Sequence, residues 1–304
     1  MRSILVTGSH RSGTGWVGQV LAASPAAVGY VWEPFSILHR PGICAAHFPY
    51  WFPYVCEEND GPVRGPVAEM LRWRYAAAAE LRSLRTPKDA ARMARDAARF
   101  ARYRRAQAIP LLKDPIAVFS AEWLNATFAT QPVLLVRHPA AFAASVKRLH
   151  LRHPFGDFLA QPLMMRDWLG PFRAELEAFA RAEQEIVDQA ILLWNVIHHA
   201  LAAYRARHPD WPFLRLEDIS RRPAEEFHAL FDRLSLPRDA AVDALITETS
   251  DASNPAEAST ADSIRRDSAA HVWNWKKRLT EDEIERIRTG TAAIAEQMYG
   301  PEDW

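Results

Sequence analysis

A short stretch near the start of the chain, TGSHRSGTGW at residues 7–16, combines glycines, hydroxyls and an arginine in a pattern suited to holding an anion. An apolar run at residues 4–6 precedes it, and a helical pattern opens at Trp16. A strand, a glycine-bearing turn and a helix start bring main-chain N–H groups and the positive helix end to one point. The sequence therefore predicts an anion site of the phosphate type here.

The loop has the spacing of a Walker A motif but lacks the motif's two most diagnostic residues. Gly8 and Gly13 stand where G-x-x-x-x-G requires them. A nucleoside-triphosphate hydrolase would continue with lysine for the terminal phosphates and Ser or Thr for magnesium. This chain has Thr14 and Gly15 instead, and the positive charge lies inside the loop at Arg11. The pattern therefore speaks against a magnesium-dependent kinase or ATPase.

A second anion-binding pattern lies far along the chain, in VLLVRHPAAFAASVKRL at residues 133–149. An apolar strand pattern ends at Arg137, Pro139 follows, and Ser145 comes eight residues after the arginine. A guanidinium offers a fork of donors to phosphate oxygens, and a nearby hydroxyl adds one more. An arginine at a strand end is also common in structural ion pairs.

Together the two patterns resemble the sulfotransferases that use 3′-phosphoadenosine 5′-phosphosulfate (PAPS), in particular bacterial members of the carbohydrate type. The family's Lys/Arg-Ser-Gly-Thr-x-Trp appears here as residues 11–16. The resemblance implies a loop that holds the 5′-phosphosulfate through its amides and its side chains. The implied loop residues are Arg11, Ser12, Gly13, Thr14 and Gly15. It also implies that Trp16 stacks on adenine, although Trp16 taken alone fits the core of the first helix equally well.

The same resemblance assigns the 3′-phosphate to Arg137 and Ser145, and to a basic loop near the C-terminus that contains Arg265 and Arg266. Asp267 departs from the glycine of the cytosolic members at that place. Beyond the loop, Trp275-Lys276 matches a later family pair, and Thr280 with Glu283 predicts a capping box that starts the last helix. The donor would leave as PAP, and no residue pattern here calls for a metal.

Sulfuryl transfer needs a base, positive charge on the leaving phosphate, and alignment. Phenol-type members place a histidine two residues after the lysine of a strand end, whereas LLKDP at residues 111–115 has none. Carbohydrate-type members carry a glutamate in a Glu-Pro context, which VWEPF supplies as Glu33. The resemblance makes Glu33 the base, with Lys113 and Arg11 stabilising the leaving group. His10 is a reserve base and Asp114 a weaker one, while an ion-paired, non-catalytic Glu33 or Lys113 is the alternative.

These residues need a scaffold that gathers strand ends. Strand patterns at 4–7, 28–32, 109–113, 132–137 and 213–216 alternate with helical patterns at 14–23, 119–128 and 140–149. Such alternation predicts an α/β fold, a single P-loop-like domain over residues 1–304 with a central parallel sheet flanked by helices. Ligands of such sheets bind at the carboxyl ends of the strands. One long packing helix is predicted at 172–207, with His198 and His199 as structural residues.

Two segments, 34–108 and 151–171, are expected to be helical and loop insertions that form a lid over the acceptor; packing over the sheet alone is the alternative. Between residues 82 and 105, one helical face carries arginines and predicts either an anion-binding surface or a solvated face. These arginines are Arg92, Arg95, Arg99 and Arg102.

Composition narrows the function class. The 304 residues carry equal numbers of basic and acidic side chains, so the charge shows no nucleic-acid footprint. No apolar run suits a signal peptide or approaches the roughly 20 residues of a membrane span. Cys44 and Cys56 are expected to be reduced thiols of a cytoplasmic protein, with a bridge left open. The expected partner is a small molecule or a glycan, namely a sugar, a glycosylated metabolite or another small acceptor, and a homo-oligomer is left open.

Two other functions remain open at this stage. One is a small-molecule kinase with a modified phosphate loop, and the other is a nucleotide-binding protein without transfer activity.

Overall fold

Parallel strands form one sheet at the centre of the protein. They are β1 (Ser3–Gly8), β2 (Val28–Trp32), β3 (Ile109–Lys113), β4 (Thr130–Val136) and β5 (Phe213–Arg215). The structure is a computed structural model that describes residues 2–255, 268 and 272–304. Within these residues the strand order is β2-β3-β1-β4-β5, and every neighbouring pair is parallel. The expected α/β class with a central parallel sheet is confirmed.

The central strand β1 shows why the sheet forms. Its residues Ile4, Leu5 and Val6 are fully buried, as expected of a parallel strand that helices cover on both faces. Side chains alternate across a strand, so Ile4 and Val6 pack into one hydrophobic core while Leu5 packs into the other. The two cores lie on opposite faces of the sheet.

Helices connect the strands and cover the sheet. They are α1 (Thr14–Ala22), α2 (Gly61–Leu71), α3 (Ala77–Leu81), α4 (Pro87–Arg105), α5 (Ala121–Phe128), α6 (Pro139–Leu149), α7 (Gly156–Leu159), α8 (Pro162–Met164), α9 (Arg173–Arg181), α10 (Ile186–Arg207), α11 (Leu216–Arg221), α12 (Pro223–Arg233), α13 (Ala240–Ser250) and α14 (Glu281–Ala295). Single 3-10 turns occupy Pro115–Ser120, Gly170–Phe172, Asn274–Lys277 and Pro301–Asp303, and a π turn occupies Met165–Leu169.

The prediction of one long helix at 172–207 is wrong. The chain forms α9 and α10, separated at residues 182–185, where Ala182 is extended with φ −142° and ψ 140°. No proline or glycine marks this break, so tertiary packing overrides the helical periodicity. His198 lies in the core of α10, stacked on Trp194 with 3.8 Å between ring centroids, which agrees with its expected structural role.

The predicted capping box at the last helix is confirmed. Thr280 Oγ1 accepts a hydrogen bond from the Glu283 N–H at 3.2 Å, and the Glu283 carboxylate accepts one from the Thr280 N–H at 2.9 Å. Cys44 is buried, Cys56 is partly buried, and the two do not form a disulfide.

One helix is long and apolar enough to resemble a membrane span. In the part of the chain that the structure describes, α10 alone has the length and the composition of a membrane-crossing helix. Most of that helix is buried inside the protein, where it packs against α6 and α14.

Candidate functional site

The candidate functional residues follow neighbouring strands at one edge of the sheet. Gly8 ends β1 and the loop begins after it, Glu33 follows β2, Lys113 ends β3, Arg137 follows β4, and α11 begins directly after β5. Because all these strands are parallel, their carboxyl ends meet at the same edge. β1 lies between β3 and β4, so the loop stands between the two groups of residues that the sequence singled out.

The loop after β1 depends on two glycines. Gly8 has φ +142°, and a Cβ there would lie 2.0 Å from the Leu135 carbonyl oxygen of β4. Gly13 has φ +88° and is the N-cap of α1. Because glycine has no side chain, the N-cap residue does not cover the N–H groups of the first turn. Nothing lies within 4 Å of the position where a Cβ on Gly15 would stand. The start of α1 therefore combines uncapped main-chain donors with open space.

The two predicted phosphate motifs contact each other. Arg11 Nε donates a hydrogen bond to Ser145 Oγ at 3.3 Å, and Arg137 Nη1 donates one to the Arg11 carbonyl oxygen at 2.8 Å. Arg137 and Ser145 are buried. Three residues from two distant segments, which the sequence analysis assigned to one nucleotide, are thus linked by hydrogen bonds.

The turn that carries Arg137 is held by residues the sequence analysis did not single out. Trp194 Nε1 donates to the Arg137 carbonyl oxygen at 2.9 Å, and the His138 N–H donates to the Glu217 carboxylate at 2.9 Å. Tyr299 Oη donates to the other oxygen of Glu217 at 3.2 Å. Burial raises the pKa of Glu217 and lowers the pKa of His138 to about 3, so the imidazole is neutral.

A small cavity of about 10 Å³ lies beside Arg137 and is lined by Glu217 and Ser220 among others. This is about the smallest cavity that holds one water molecule. Ser268 Oγ donates to the Ser220 carbonyl oxygen at 2.8 Å, so Ser268 lies near this cavity. The predicted Arg265 and Arg266 lie outside the described residues.

Glu33 and Lys113 form an ion pair with 2.5 Å between Lys113 Nζ and Glu33 Oε1. The Lys113 side chain is 7% exposed and the Glu33 side chain 18% exposed, so the pair is reached by solvent mainly through the carboxylate. Lys113 Nζ also lies 5.0 Å from the ring centroid of the exposed Trp32. Glu33 has φ +42°, a left-handed conformation that is uncommon for a residue other than glycine.

The two weaker base candidates occupy different surroundings. Asp114 is fully buried, and burial raises the pKa of its carboxyl group to about 7. Burial lowers the pKa of His10 to about 4, with the Arg11 charge adding to the effect, so His10 is a weak base at neutral pH. The His10 ring lies 5.0 Å from the Phe142 ring, edge to face.

Trp16 lies in the core in this structure. It is 2% exposed, its Nε1 donates to Thr249 Oγ1 at 2.9 Å, and its ring meets Phe227 edge to face at 5.2 Å. The core alternative therefore describes Trp16 here, because stacking on adenine would require an uncovered ring face. Ser12 likewise turns inward, where its Oγ donates to the Ser9 carbonyl oxygen at 2.5 Å.

The two predicted insertions pack on each other next to the loop. Phe52, from the first insertion, lies 5.9 Å from the ring of His10 and 5.9 Å from the ring of Phe158 in the second insertion. The Tyr54 N–H donates to Gln161 Oε1 at 2.8 Å, which joins the insertions through the main chain. That these two insertions form a lid over the acceptor stays a prediction.

The basic helix α4 lines a different cavity, of about 700 Å³, between Arg104, Arg105 and the segment around Trp73 and Tyr75. Trp73 packs where a Cβ on Gly29 would stand, near the start of β2, so this cavity lies away from the carboxyl edge of the sheet. Arg99 forms an ion pair with the buried Asp96 of the same helix, at 3.3 Å. The two explanations of the basic face stay open.

One buried polar atom of the loop, Ser9 Oγ, has no hydrogen-bond partner, and an oxygen of a bound anion would satisfy it. Among the described residues, no group of three or more His, Cys, Asp or Glu side chains is arranged to hold a metal ion.

Comparisons with known proteins found similar structures but no similar sequences. No family model and no curated protein match the sequence. The structure is similar to the sulfotransferase domain from the curacin biosynthetic pathway (14% identity, TM-score 0.47, 96% of this chain and 98% of that one). It is also similar to the sulfotransferase domain from the Synechococcus PCC 7002 olefin synthase (16%, 0.43, 95% and 94%) and to sulfotransferase STF9 from Mycobacterium avium (13%, 0.47, 98% and 76%). Because these TM-scores lie below 0.5, a function has to be argued from the residues of the site.

Proposed function

We propose that this chain is a PAPS-dependent sulfotransferase that sulfates a hydroxyl or amine of a sugar, a glycosylated metabolite or another small acceptor. The observation that carries the proposal is the junction of Arg11, Ser145 and Arg137 beside the loop after β1. A doubly phosphorylated nucleotide needs two anion-binding centres at a fixed separation, and this junction joins the two centres that the sequence assigned to it. The loop lacks the Walker residue that binds magnesium, which suits transfer of a sulfuryl group without that metal.

In this proposal, residues at the ends of four strands divide the binding of the donor and the chemistry among them. The amides at the start of α1, with Arg11, hold the 5′-phosphosulfate, while Arg137 and Ser145 hold the 3′-phosphate. PAPS supplies the sulfuryl group and, after transfer, leaves as PAP. Glu33 accepts the proton of the acceptor hydroxyl as its oxygen bonds to sulfur. Lys113 holds the Glu33 carboxylate and stabilises the charge that develops on the departing phosphate oxygen.

The donor is tested first by nucleotide discrimination. Thermal unfolding is measured with PAP, AMP and ATP plus magnesium, and PAP should stabilise the protein most because only PAP occupies both centres. Equal stabilisation by PAP and AMP would overturn the proposal. Stabilisation that requires ATP with magnesium and ignores the 3′-phosphate would favour the kinase alternative.

Transfer is tested second, with labelled PAPS and a panel of sugar, glycoside, phenol and alcohol acceptors. The wild-type chain should label at least one acceptor, and Glu33→Gln should lose most of that activity while it still binds PAP. Full activity of Glu33→Gln would remove Glu33 as the base. PAP binding with no transfer to any acceptor would favour a nucleotide-binding protein.

A further inference from the structure

The turn that follows β2 is tied to the end of β3 at two points. The Glu33 N–H donates to the Lys113 carbonyl oxygen at 2.9 Å, and the Phe35 N–H donates to Asp114 Oδ2 at 2.7 Å. Within the turn, the Ser36 N–H donates to the Glu33 carbonyl oxygen at 3.2 Å. Glu33 is thus held in its left-handed conformation between one main-chain bond and one bond to a buried carboxylate.

Asp114 is itself fixed on every side. Its N–H donates to the Val6 carbonyl oxygen of β1 at 2.9 Å, and its second oxygen, Oδ1, accepts from the Ile116 N–H at 3.0 Å. The side chain is fully buried, and each oxygen accepts one main-chain N–H. Neither a substrate nor the Glu33 carboxylate is needed to explain these contacts.

We propose that Asp114 is a positioning residue, whose carboxylate fixes the turn that aims Glu33 at the acceptor. The inference rests on the proposed function, and it assigns Asp114 a task different from that of a base. A carboxylate satisfies two N–H donors at once, whereas an asparagine has one acceptor oxygen and would direct its NH₂ group at one of the donors. Asp114→Asn therefore loosens the turn while changing the side-chain volume very little.

The protonation state of Asp114 should affect the turn in the same way as the Asp114→Asn substitution. The titratable groups that face it are Glu33 after β2, Lys113 on β3 and Cys44 in the first insertion. Burial holds its pKa near 7, so the carboxyl group gains a proton as the pH falls through neutrality. A protonated oxygen no longer accepts freely, and the turn should loosen just as it does in Asp114→Asn.

The experiment compares wild type, Asp114→Asn and Asp239→Asn in the transfer assay from pH 5.5 to 8.5, with PAP affinity measured in parallel. Asp239 is the matched control because its exposed carboxylate also accepts two main-chain N–H bonds, at the start of α13. We expect Asp114→Asn to lower kcat roughly 10- to 100-fold at pH 8, because a small misplacement of a catalytic group has such an effect. PAP affinity and donor KM should stay unchanged, and Asp239→Asn should keep the wild-type kcat.

The pH profile separates positioning from a merely structural role. Wild-type kcat should fall below a midpoint near pH 7, the pKa of Asp114, and Asp114→Asn should lack that limb. An active wild type with undiminished kcat in Asp114→Asn would overturn this inference alone, whereas a wild type that transfers to no acceptor would overturn the proposed function with it. If Asp114→Asn does not fold, the pH profile of Glu33→Asp tests the inference instead. This variant leaves the Asp114 carboxylate in place, so its kcat should still fall below pH 7. A wild type whose kcat does not fall below pH 7 would overturn the inference.

Discussion

Arg137 Nη1 donates a 2.8 Å hydrogen bond to the main-chain oxygen of Arg11, and this bond joins the end of β4 to the loop after β1. The Arg11 side chain in turn reaches Ser145 on α6. One buried guanidinium therefore fixes the main chain of the loop. The conformation of the loop at Arg11 depends on Arg137.

Arg137→Lys should weaken PAP binding more than AMP binding. The lysine keeps the charge but loses the fork, so the bond to Arg11 and the bidentate contact cannot both form. We expect a loss of about 1.5–3 kcal/mol, or roughly 10- to 100-fold in PAP affinity, measured by titration calorimetry. Arg222→Ala, which removes an exposed arginine paired with Glu226, is the control. Equal weakening of PAP and AMP would show that Arg137 does not recognise the 3′-phosphate.

Glu217→Gln should reduce the same discrimination indirectly. Glu217 accepts bonds from the His138 N–H and from Tyr299, and so holds the turn that carries Arg137. The amide keeps only one acceptor oxygen, and we expect about 1–2 kcal/mol of lost PAP affinity with a smaller loss for AMP. Tyr299→Phe removes one of the two bonds and should have a smaller effect in the same calorimetric titration. An unchanged ratio of the two affinities in Glu217→Gln would contradict this prediction.

Much of the fold followed from local patterns. Short apolar runs that end at polar residues predicted all five strands, and β2 and β3 have the predicted bounds, because parallel strands buried on both faces need continuous apolar sequence. The break between α9 and α10 was missed, since no residue in 182–185 disrupts a helix by its own chemistry. Helix propensity therefore does not predict this break, which depends on tertiary packing.

The candidate site was predictable only in part. The sequence named Glu33 and Lys113 separately, but their pairing depends on β2 lying next to β3, and sequence order does not reveal strand order. Asp114 was considered as a base, although its carboxylate braces a turn 79 positions away. A hydrogen bond from a main-chain N–H to a distant carboxylate leaves no sequence motif, because a residue of any type except proline can donate it. The one signal was an acidic residue at a strand end before a proline.

A double-mutant cycle should show that Glu33 and Lys113 act as a unit. Glu33→Gln should lower kcat about 10²- to 10⁴-fold as expected for a lost general base, and Lys113→Gln should lower it by about tenfold or more. Because the positioning part of the Lys113 effect is already lost in Glu33→Gln, the double variant should be slower than Glu33→Gln by less than the factor that Lys113→Gln costs alone. Lys147→Gln, which breaks a separate 2.6 Å ion pair with Glu283, should leave kcat unchanged. Multiplying losses in the double variant would mean that the two residues act independently.

Asp114 should also make the free energy of unfolding depend on pH. Its pKa is about 7 in the folded protein and near the ordinary value of 3.8 in the unfolded chain, so the folded state binds the proton more tightly. The stability of wild type relative to Asp114→Asn should therefore be greatest below about pH 4 and decrease as the pH rises to about 7, by on the order of 2–4 kcal/mol. Urea unfolding of both proteins at several pH values measures this difference. A relative stability that rises with pH over this window would contradict the direction of the shift.

Trp16→Leu should separate packing from nucleotide stacking. The indole fills the core against Phe227 and donates to Thr249, so its removal should lower the free energy of unfolding by about 2–4 kcal/mol. Thr249→Val removes the same hydrogen bond while the indole stays, and should cost about 1 kcal/mol. If Trp16 only packs, the native protein binds PAP equally well in both variants, as titration calorimetry below the unfolding range would show. Loss of PAP and AMP affinity together in Trp16→Leu, with Thr249→Val unaffected, would instead mean that the ring turns toward adenine when the nucleotide binds, since both nucleotides share that base.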